Sequence, residues 1–428
     1  MSRDINYMPP LGQAVPLGLQ HVLAMFVGNV AVPLIIANAI DLPAAQTILL
    51  VQAAMFVAGI ATIAQALGFG PIGARAPIVM GTSFGFVPIA LPIATNHGLP
   101  AVFGAALIGG LAMALVGVAL RRVRFLFPPV VTGTFVIMIG IILLPVGLGY
   151  VGGGAGAADF GALHHIGLGV LVFVVTVGVQ QFARGMLSEM SVLIGIATGY
   201  LVAIPLGLVD FSAVGNASWV QLPMPFEIGL EFVPAAIVGM VLISVVTSAE
   251  SIGDIEGTMI SGASRPATDK ELSRGVMTDG LASSFAAIFN AFPQISFSQN
   301  VGLIALTGVA SRYVVAIGGG FLLMAGLLPK LGALVTSIPN AVLGGAVTIM
   351  FGMIVSAGIK MLASVAFTRR NMLIMGVSIA VAIGLRAQEG LYAGAPVDVR
   401  AILHSGLVPG ALMSIMLNLV LPGRKTET

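Results

Sequence analysis

The chain has 428 residues, of which 58% are hydrophobic and only 8% are charged. A soluble domain carries about 25% charged residues, so this composition indicates that lipid, rather than water, covers much of the surface. The net charge of +2 gives no indication of nucleic-acid binding, and the lack of cysteine excludes disulfides, thiolate metal sites and cysteine nucleophiles. The five histidines are scattered and predict no metal cluster.

Apolar runs long enough to cross a bilayer recur along the whole chain. The first is predicted to be a retained helix, because it is longer than the core of a cleaved signal peptide. Twelve such runs cover residues 16–39, 45–67, 99–121, 125–147, 166–182, 190–208, 229–252, 275–293, 312–333, 340–358, 371–386 and 400–421. Two shorter stretches, 72–94 and 294–308, are broken, and they bring the predicted number of membrane segments to fourteen.

The distribution of basic residues agrees with this segment count. With the N-terminus inside, 15 of the 18 Lys and Arg residues fall on the cytoplasmic side, as the positive-inside rule expects. Only Lys330, Arg386 and Arg400 fall on the opposite side. Both termini are therefore predicted to be cytoplasmic. His164 and His165 fall in an outer loop, where they are expected to be solvated.

The two halves of the chain have the same order of segments. A shift of 213 residues places span 16–39 on 229–252 and the first broken segment on the second. Seven segments per half is an odd number, so the second half must run upside down. The sequence therefore predicts an all-α polytopic membrane protein with a seven-plus-seven inverted repeat. Its broken segments, each a short strand plus a half-helix, point to the binding site, because half-helix N-termini offer free N–H groups there.

Three acidic residues fall at or near predicted spans. Glu250 and Asp254 are spaced i, i+4 and share one helix face at the cytoplasmic end of the eighth segment, and Asp279 lies in the ninth. A charge at bilayer depth costs about 3 kcal/mol or more and usually marks a pathway. The alternative is that these acids are interfacial residues just past a helix end.

Polar residues also flank the broken segments and occur in the first span. His21 is either a packed histidine or a partner of the acids, since the repeat predicts that its segment lies beside the eighth. Gln299 and Asn300 open the second broken segment, where amides either cap a helix or present donors and acceptors to a ligand. Ser83 and Phe84 hold the matching position, and Phe84 is either a core residue or a stacking platform for a planar base.

The second broken segment carries a motif typical of one transporter family. Residues 299–308, Gln-Asn-Val-Gly-Leu-Ile-Ala-Leu-Thr-Gly, follow the pattern Q-N-x-G-x-x-x-x-T-G, and Val-Ala-Ser-Arg comes next. In this motif the chain resembles the nucleobase–ascorbate transporter family, and within it the bacterial xanthine and urate permeases. The resemblance extends to residues 20–21, 81–84, 250–254 and 279–280.

The resemblance implies a proton-coupled symporter that carries a purine nucleobase through the bacterial inner membrane, without a cofactor and usually as a homodimer. It implies a core domain, residues 1–124 and 229–335, that moves against a gate domain, residues 125–228 and 336–428. The implied substrate contacts are Glu250, Gln299, Phe84, Ser83, Ser298 and Asn300. The implied proton-linked network contains Glu250, Asp254, Asp279 and His21.

The resemblance also bears on the substrate. Uracil-type members tend to carry an acid where Gln299 stands and a histidine where Asp254 stands, so xanthine or urate is predicted, with a uracil/proton symporter as the alternative. Na⁺ stays open as the coupling ion. An anion exchanger of this architecture would need a basic residue at the site, and a channel would not need the acid pair. No nucleophile–base set or metal triad indicates an enzyme.

Overall fold

A computed structural model describes residues 4–154, 156–297 and 299–422 of the chain. The α-helices are α1 (Leu11–Ala39), α2 (Ala44–Leu67), α3 (Val87–His97), α4 (Leu99–Val118), α5 (Leu120–Val123), α6 (Pro129–Val151), α7 (Leu163–Phe182), α8 (Met186–Glu189), α9 (Ser191–Ala203), α10 (Ser212–Asn216), α11 (Pro234–Ala263), α12 (Asp269–Ile288), α13 (Gln299–Thr307), α14 (Arg312–Ala325), α15 (Pro329–Thr336), α16 (Asn340–Leu362), α17 (Arg369–Ala387), α18 (Val397–His404) and α19 (Leu407–Val420). Short 3-10 helices cover Phe84–Phe86, Arg124–Leu126 and Glu389–Tyr392, and the two strands are β1 (Met80–Thr82) and β2 (Gln294–Ser296).

Among the described residues, eight helices are long and apolar enough to cross a membrane. A ninth span results if the bent pair α14 and α15 is counted as one. The chain is therefore a multi-pass helical membrane protein. Each of the fourteen predicted segments coincides with a helix, a helix pair, or a strand followed by a helix, while the number of actual crossings stays a prediction.

Two predicted spans are divided in the structure. Span 312–333 consists of α14 and α15, which meet at an angle of 83°. Pro329 lies in the first turn of α15, and its ring cannot continue the preceding helix. Span 400–421 is divided into α18 and α19 at Gly406, whose φ of +63° breaks the helix. Apolarity alone does not show these breaks.

The helix packing relates the two halves of the chain. Helices α1 and α2 pack against α14, and their repeat equivalents α11 and α12 pack against α4, the equivalent of α14. Helix α6 packs against its own equivalent, α16. Each of these helices therefore packs against a helix of the other half, and its repeat equivalent makes the reciprocal contact. A two-fold relation between the halves produces this pattern.

The spanning helices form two groups. We call α1–α4 with α11–α15 the first bundle, and α6, α7, α9, α16, α17 and α19 the second bundle. The bundles meet where α11 contacts α6 and α19, and where α1 contacts α9 and α16. A two-stranded antiparallel sheet lies inside the first bundle, with Gly81 opposite Ile295. All six strand residues are buried, so their free backbone groups must bond within the protein.

Candidate functional site

The two broken segments begin their half-helices beside the sheet. After β1, the Ser83 amide donates to the Pro293 carbonyl (3.0 Å), which ties the turn to the strand of the other half. The Ser83 hydroxyl accepts from the Gly85 amide (3.1 Å) and caps the 3-10 turn that leads into α3. After β2, α13 begins at Gln299. Residue Ser298, which the sequence predicts to contact substrate, lies outside the described residues.

Glu250 faces the first of these turns. Helix α11 continues to Ala263, so the alternative that Glu250 lies past a helix end is wrong. A Cβ placed on Gly85 would lie 3.4 Å from the Glu250 Oε2 atom, so the carboxylate lies against this turn. That oxygen is buried and has no hydrogen-bond partner among the described residues. An unpartnered carboxylate at membrane depth is costly and points to a ligand or a proton.

Asp254 lies one turn further along α11. It is 9% exposed, and its Oδ2 atom is buried without a hydrogen-bond partner in the described chain. Glu250, Asp254 and Asp279 are close enough to interact electrostatically. Neighbouring carboxylates repel one another if all are ionised.

Asp279 differs from the other two acids because its hydrogen bonds are made. Its Oδ1 atom accepts from the Gln65 side-chain amide (2.8 Å). Its Oδ2 atom accepts from the Ser296 backbone amide and the Ser296 hydroxyl, both at 3.0 Å. Asp279 therefore holds strand β2 against α12 and α2.

Phe84 lies between the two bundles. It is 5% exposed, and its ring meets the ring of Phe351 in α16 edge-on, with centroids 5.4 Å apart. Aromatic pairs prefer this geometry. One face of the turn that bears Phe84 thus contacts the second bundle, while Gly85, the next residue, adjoins Glu250.

His21 pairs with Asn300 rather than with an acid. The Asn300 side-chain amide donates to His21 Nδ1 and to the His21 carbonyl, both at 3.0 Å, whereas Asn300 Oδ1 is buried with no partner in the described residues. The expectation that the first segment lies beside the eighth is wrong, because α1 packs mainly on α14 and α2. A role for His21 in proton coupling stays a prediction.

Gln299 lines a cavity of about 70 Å³ between the bundles. The first bundle contributes Ala24, Val27 and Gln299, and the other wall is formed by Gln180, Ser188, Glu189, Ser191, Val192, Met350 and Met353. Glu189 also faces α13, because a Cβ on Gly302 would lie 3.5 Å from its Oε2 atom. Glu189 was not among the predicted site residues, because it falls in a loop between two predicted spans.

Several further polar residues hold the sheet in place and were also missed. Asn29 Oδ1 accepts from the backbone amide (2.9 Å) and the hydroxyl (3.0 Å) of Thr82. The Gln294 side-chain amide donates to the same hydroxyl (3.1 Å). Asn29 lies two helical turns after His21 on the same face of α1, and that spacing could have indicated it.

The outer loop that was predicted to precede span 166–182 is partly helical, because α7 begins at Leu163. His164 is exposed, as expected, and the Nε2 atoms of His164 and His165 lie 3.2 and 2.9 Å from Asp159 Oδ2. The absence of a metal cluster among the histidines stays a prediction, although one donor atom from each of Asp159, His164 and His165 lies within 4.8 Å of the others.

Two acids with buried, unpartnered oxygen atoms lie near two interrupted segments in a multi-pass helical membrane protein. This combination is typical of membrane transporters. Residues 12–390 match the model of a permease family, Xan_ur_permease. The chain is 37% identical to the xanthine permease of Bacillus subtilis over 411 residues, covering 96% of this chain and 94% of the relative. It is 38% identical to the uric acid permease PucJ of the same organism, covering 94% and 91%. The chain therefore belongs to this permease family, the nucleobase–ascorbate transporters, and is not an enzyme.

A solved structure supports the fold. The transmembrane domain of the bicarbonate transporter BicA, from a cyanobacterium, matches with a TM-score of 0.58 at 15% identity. The match covers 97% of this chain and all of that domain. At this identity, the likeness concerns the architecture alone.

Proposed function

We propose that the chain is a proton-coupled symporter that carries a purine nucleobase, xanthine or urate, into the cell. The observation that carries this proposal is the unpartnered Oε2 atom of Glu250, buried beside Gly85 where the first broken segment begins. The xanthine and uric acid permeases among the relatives support the choice of substrate class.

The substrate contacts follow from the chemistry of the side chains. Glu250 supplies an acceptor for the N–H edge of the base, and Gln299 supplies both a donor and an acceptor for its carbonyl and ring-nitrogen edges. Phe84 offers its ring to the planar base. A cavity of about 70 Å³ has room for a few water molecules but not for a purine, so loading requires the bundles to separate.

Alternating access supplies that separation. In this proposal the core domain, residues 1–124 and 229–335, moves against the gate domain, residues 125–228 and 336–428. At one end of the interface the Asn38 side-chain amide donates to Asn340 Oδ1 (2.7 Å), and the Tyr150 hydroxyl donates to the Ile35 carbonyl (3.0 Å). At the other end lies the cavity lined by Glu189. These features support a state closed at the Asn38 end.

Proton coupling follows from the three interacting carboxylates. A proton that enters with the base neutralises one charge in the group and lets the bundles close over it. Movement of this proton into the cell releases about 1.4 kcal/mol per pH unit and about 2.3 kcal/mol per 100 mV of membrane potential. About 150 mV is therefore enough for a more than tenfold gradient of substrate. Na⁺ would have to occupy the same place by coordination to the carboxylate oxygens.

The positions of the basic residues and of the exposed apolar helices bear on the orientation and assembly of the protein. Basic residues concentrated on one side support cytoplasmic termini in a bacterial inner membrane. Helices α7 and α17 bury only 22% and 17% of their apolar windows, far less than the other spans. These two helices offer surfaces for lipid and for a second copy in a homodimer.

The test is uptake of radiolabelled xanthine by cells that lack their own purine permeases and express this chain. We expect uptake that urate competes and that a protonophore abolishes, also when Na⁺ is absent. Uptake that persists with the protonophore but requires Na⁺ would replace the proton by sodium. Protonophore-sensitive uptake of uracil without uptake of xanthine would contradict the purine assignment.

A further inference from the structure

Glycines lie at both ends of the connection between α6 and α7. The Gly161 amide donates to the Gly152 carbonyl (2.8 Å), which brings these two residues together. Gly153 has a φ of +110°, a value that L side chains rarely adopt. A Cβ on Gly153 would lie 2.8 Å from the His165 ring, so glycine is what lets that ring lie against the loop.

Three potential metal ligands converge where this loop meets α7. His164 and His165 occupy the first turn of α7, and Asp159 reaches them from the loop. Their Nε2 atoms lie 3.2 and 2.9 Å from the same oxygen, Asp159 Oδ2. Ligands bound at about 2.0–2.2 Å to a tetrahedral ion are separated by about 3.3 Å. Both nitrogen–oxygen distances are close to this value, and all three donor atoms lie within 4.8 Å of one another.

The kind of donor selects the kind of ion. Two imidazole nitrogens and one carboxylate suit Zn²⁺ and its first-row neighbours, whereas Ca²⁺ and Mg²⁺ require a set of oxygen ligands. Three protein ligands leave the fourth tetrahedral position for water. The site is accessible, since the side chains of His164 and Asp159 are 44% and 55% exposed, while the His165 side chain is held at 14% exposure.

We propose that Asp159, His164 and His165 form a binding site for Zn²⁺ or a similar first-row divalent ion. This site is separate from Glu250 and does not depend on which substrate the protein carries. The Gly153 carbonyl of this loop also accepts from the Asn340 side-chain amide (3.2 Å), and Asn340 in turn bonds to Asn38 of the first bundle (2.7 Å). A metal ion at this site therefore fixes a loop that is hydrogen-bonded, through Asn340, to Asn38 at the contact between the bundles.

The experiment is calorimetric titration of Zn²⁺ into the full chain, purified in detergent at pH 7.5 with its affinity tag removed. His164→Asn and Asp159→Asn each delete one ligand at an exposed position, so neither is expected to disturb the fold. The matched control is His404→Asn, because His404 pairs with Glu389 (2.9 Å) but has no second imidazole at that pair. Mg²⁺ serves as the control ion.

We expect the wild-type chain to bind one Zn²⁺ and not Mg²⁺. Loss of either ligand should weaken this binding about tenfold or more, while His404→Asn leaves it unchanged. Absence of Zn²⁺ binding to the wild-type chain would overturn the proposal. So would binding that both ligand variants retain, or binding that His404→Asn weakens equally, because each outcome places the ion elsewhere.

Discussion

The middle of α11 and the middle of α12 each carry an acid with a buried carboxylate oxygen, but the two acids differ in their hydrogen bonds. Asp279 in α12 receives hydrogen bonds from Gln65 and from the backbone and hydroxyl of Ser296. Glu250 in α11 has an oxygen that is equally hidden and receives none from the described residues. A buried acid with its bonds complete stabilises the fold, whereas one left without a donor is available to a ligand or a proton.

The first prediction tests the α11 side of this comparison and has the largest expected effect. Glu250→Gln keeps the shape of the side chain but removes the charge that accepts from the substrate. A hydrogen bond to a charged group is worth about 1.5–3 kcal/mol, so xanthine affinity should fall about 10- to 100-fold. Xanthine binding to the purified protein measures this directly, and the melting temperature should not fall.

The control for Glu250→Gln is Asp210→Asn, an exposed acid in the loop before α10. It should change neither binding nor melting. If Glu250→Gln lowered the melting temperature strongly while xanthine affinity stayed the same, Glu250 would be a structural residue and the contrast with Asp279 would be lost.

The second prediction concerns α12. Asp279→Asn replaces one acceptor by an amide donor that faces the Ser296 amide or the Gln65 amide, so one buried donor loses its partner. We expect the free energy of unfolding to fall by about 1–3 kcal/mol. Thermal unfolding in detergent measures it, with Asp269→Asn at the exposed start of α12 as the control. An unchanged melting temperature combined with abolished transport would assign Asp279 to the same functional class as Glu250.

The third prediction concerns Phe84, which precedes Gly85 in the turn that Glu250 faces. Phe84→Leu keeps an apolar side chain in the turn but removes the aromatic face offered to the base. Loss of an aromatic contact costs about 0.5–1.5 kcal/mol, so the KM for xanthine should rise about 2- to 10-fold with little change in maximal rate. Uptake kinetics measure both. A fall in maximal rate at constant KM would mean that Phe84 serves the contact with Phe351 and not the substrate.

The smallest effect is expected at the contact between the bundles. Asn38→Ala removes one hydrogen bond, worth about 0.5–1.5 kcal/mol, and should shift the equilibrium away from the present state about 2- to 10-fold. Because the chain has no cysteine, a reporter Ser188→Cys, at a half-exposed position that lines the cavity, can be labelled selectively. Labelling should slow in Asn38→Ala and not in the control Asn216→Ala. Equal labelling rates in the reporter protein alone, in Asn38→Ala and in Asn216→Ala would show that Asn38 does not stabilise the closed contact.

The order of membrane segments and the position of the two broken segments could be predicted from the sequence, because long apolar runs and interrupted ones differ in composition. The broken segments around residues 80 and 294 were visible as Gly- and Pro-bearing stretches, and Glu250 stood out as an acid near a span. The end of α11 was placed too early, since residues 253–263 include glycine, serine and acids. Helix α11 continues there because these residues pack inside protein, where local apolarity is a poor guide.

Other features depend on contacts between distant parts of the chain. Composition cannot distinguish Asp279 from Glu250, because the donors that complete Asp279 come from α2 and from β2. The pairing of Asn38 with Asn340 joins residues 302 positions apart. The partner of His21 was missed for the same reason, since only the packing of α1 on α14 decides which side chains it meets.

The strand pair has a consequence for how the protein is made. Thr82 pairs with Gln294, which the ribosome adds 294 − 82 = 212 residues later. At about 5–20 residues per second, β2 is synthesised about 10–40 s after β1. Hydrocarbon offers no substitute for the missing bonds during that interval. The nascent first half must therefore be kept in a wet or protein-lined environment, and a chain truncated before residue 294 should be a substrate for membrane proteases.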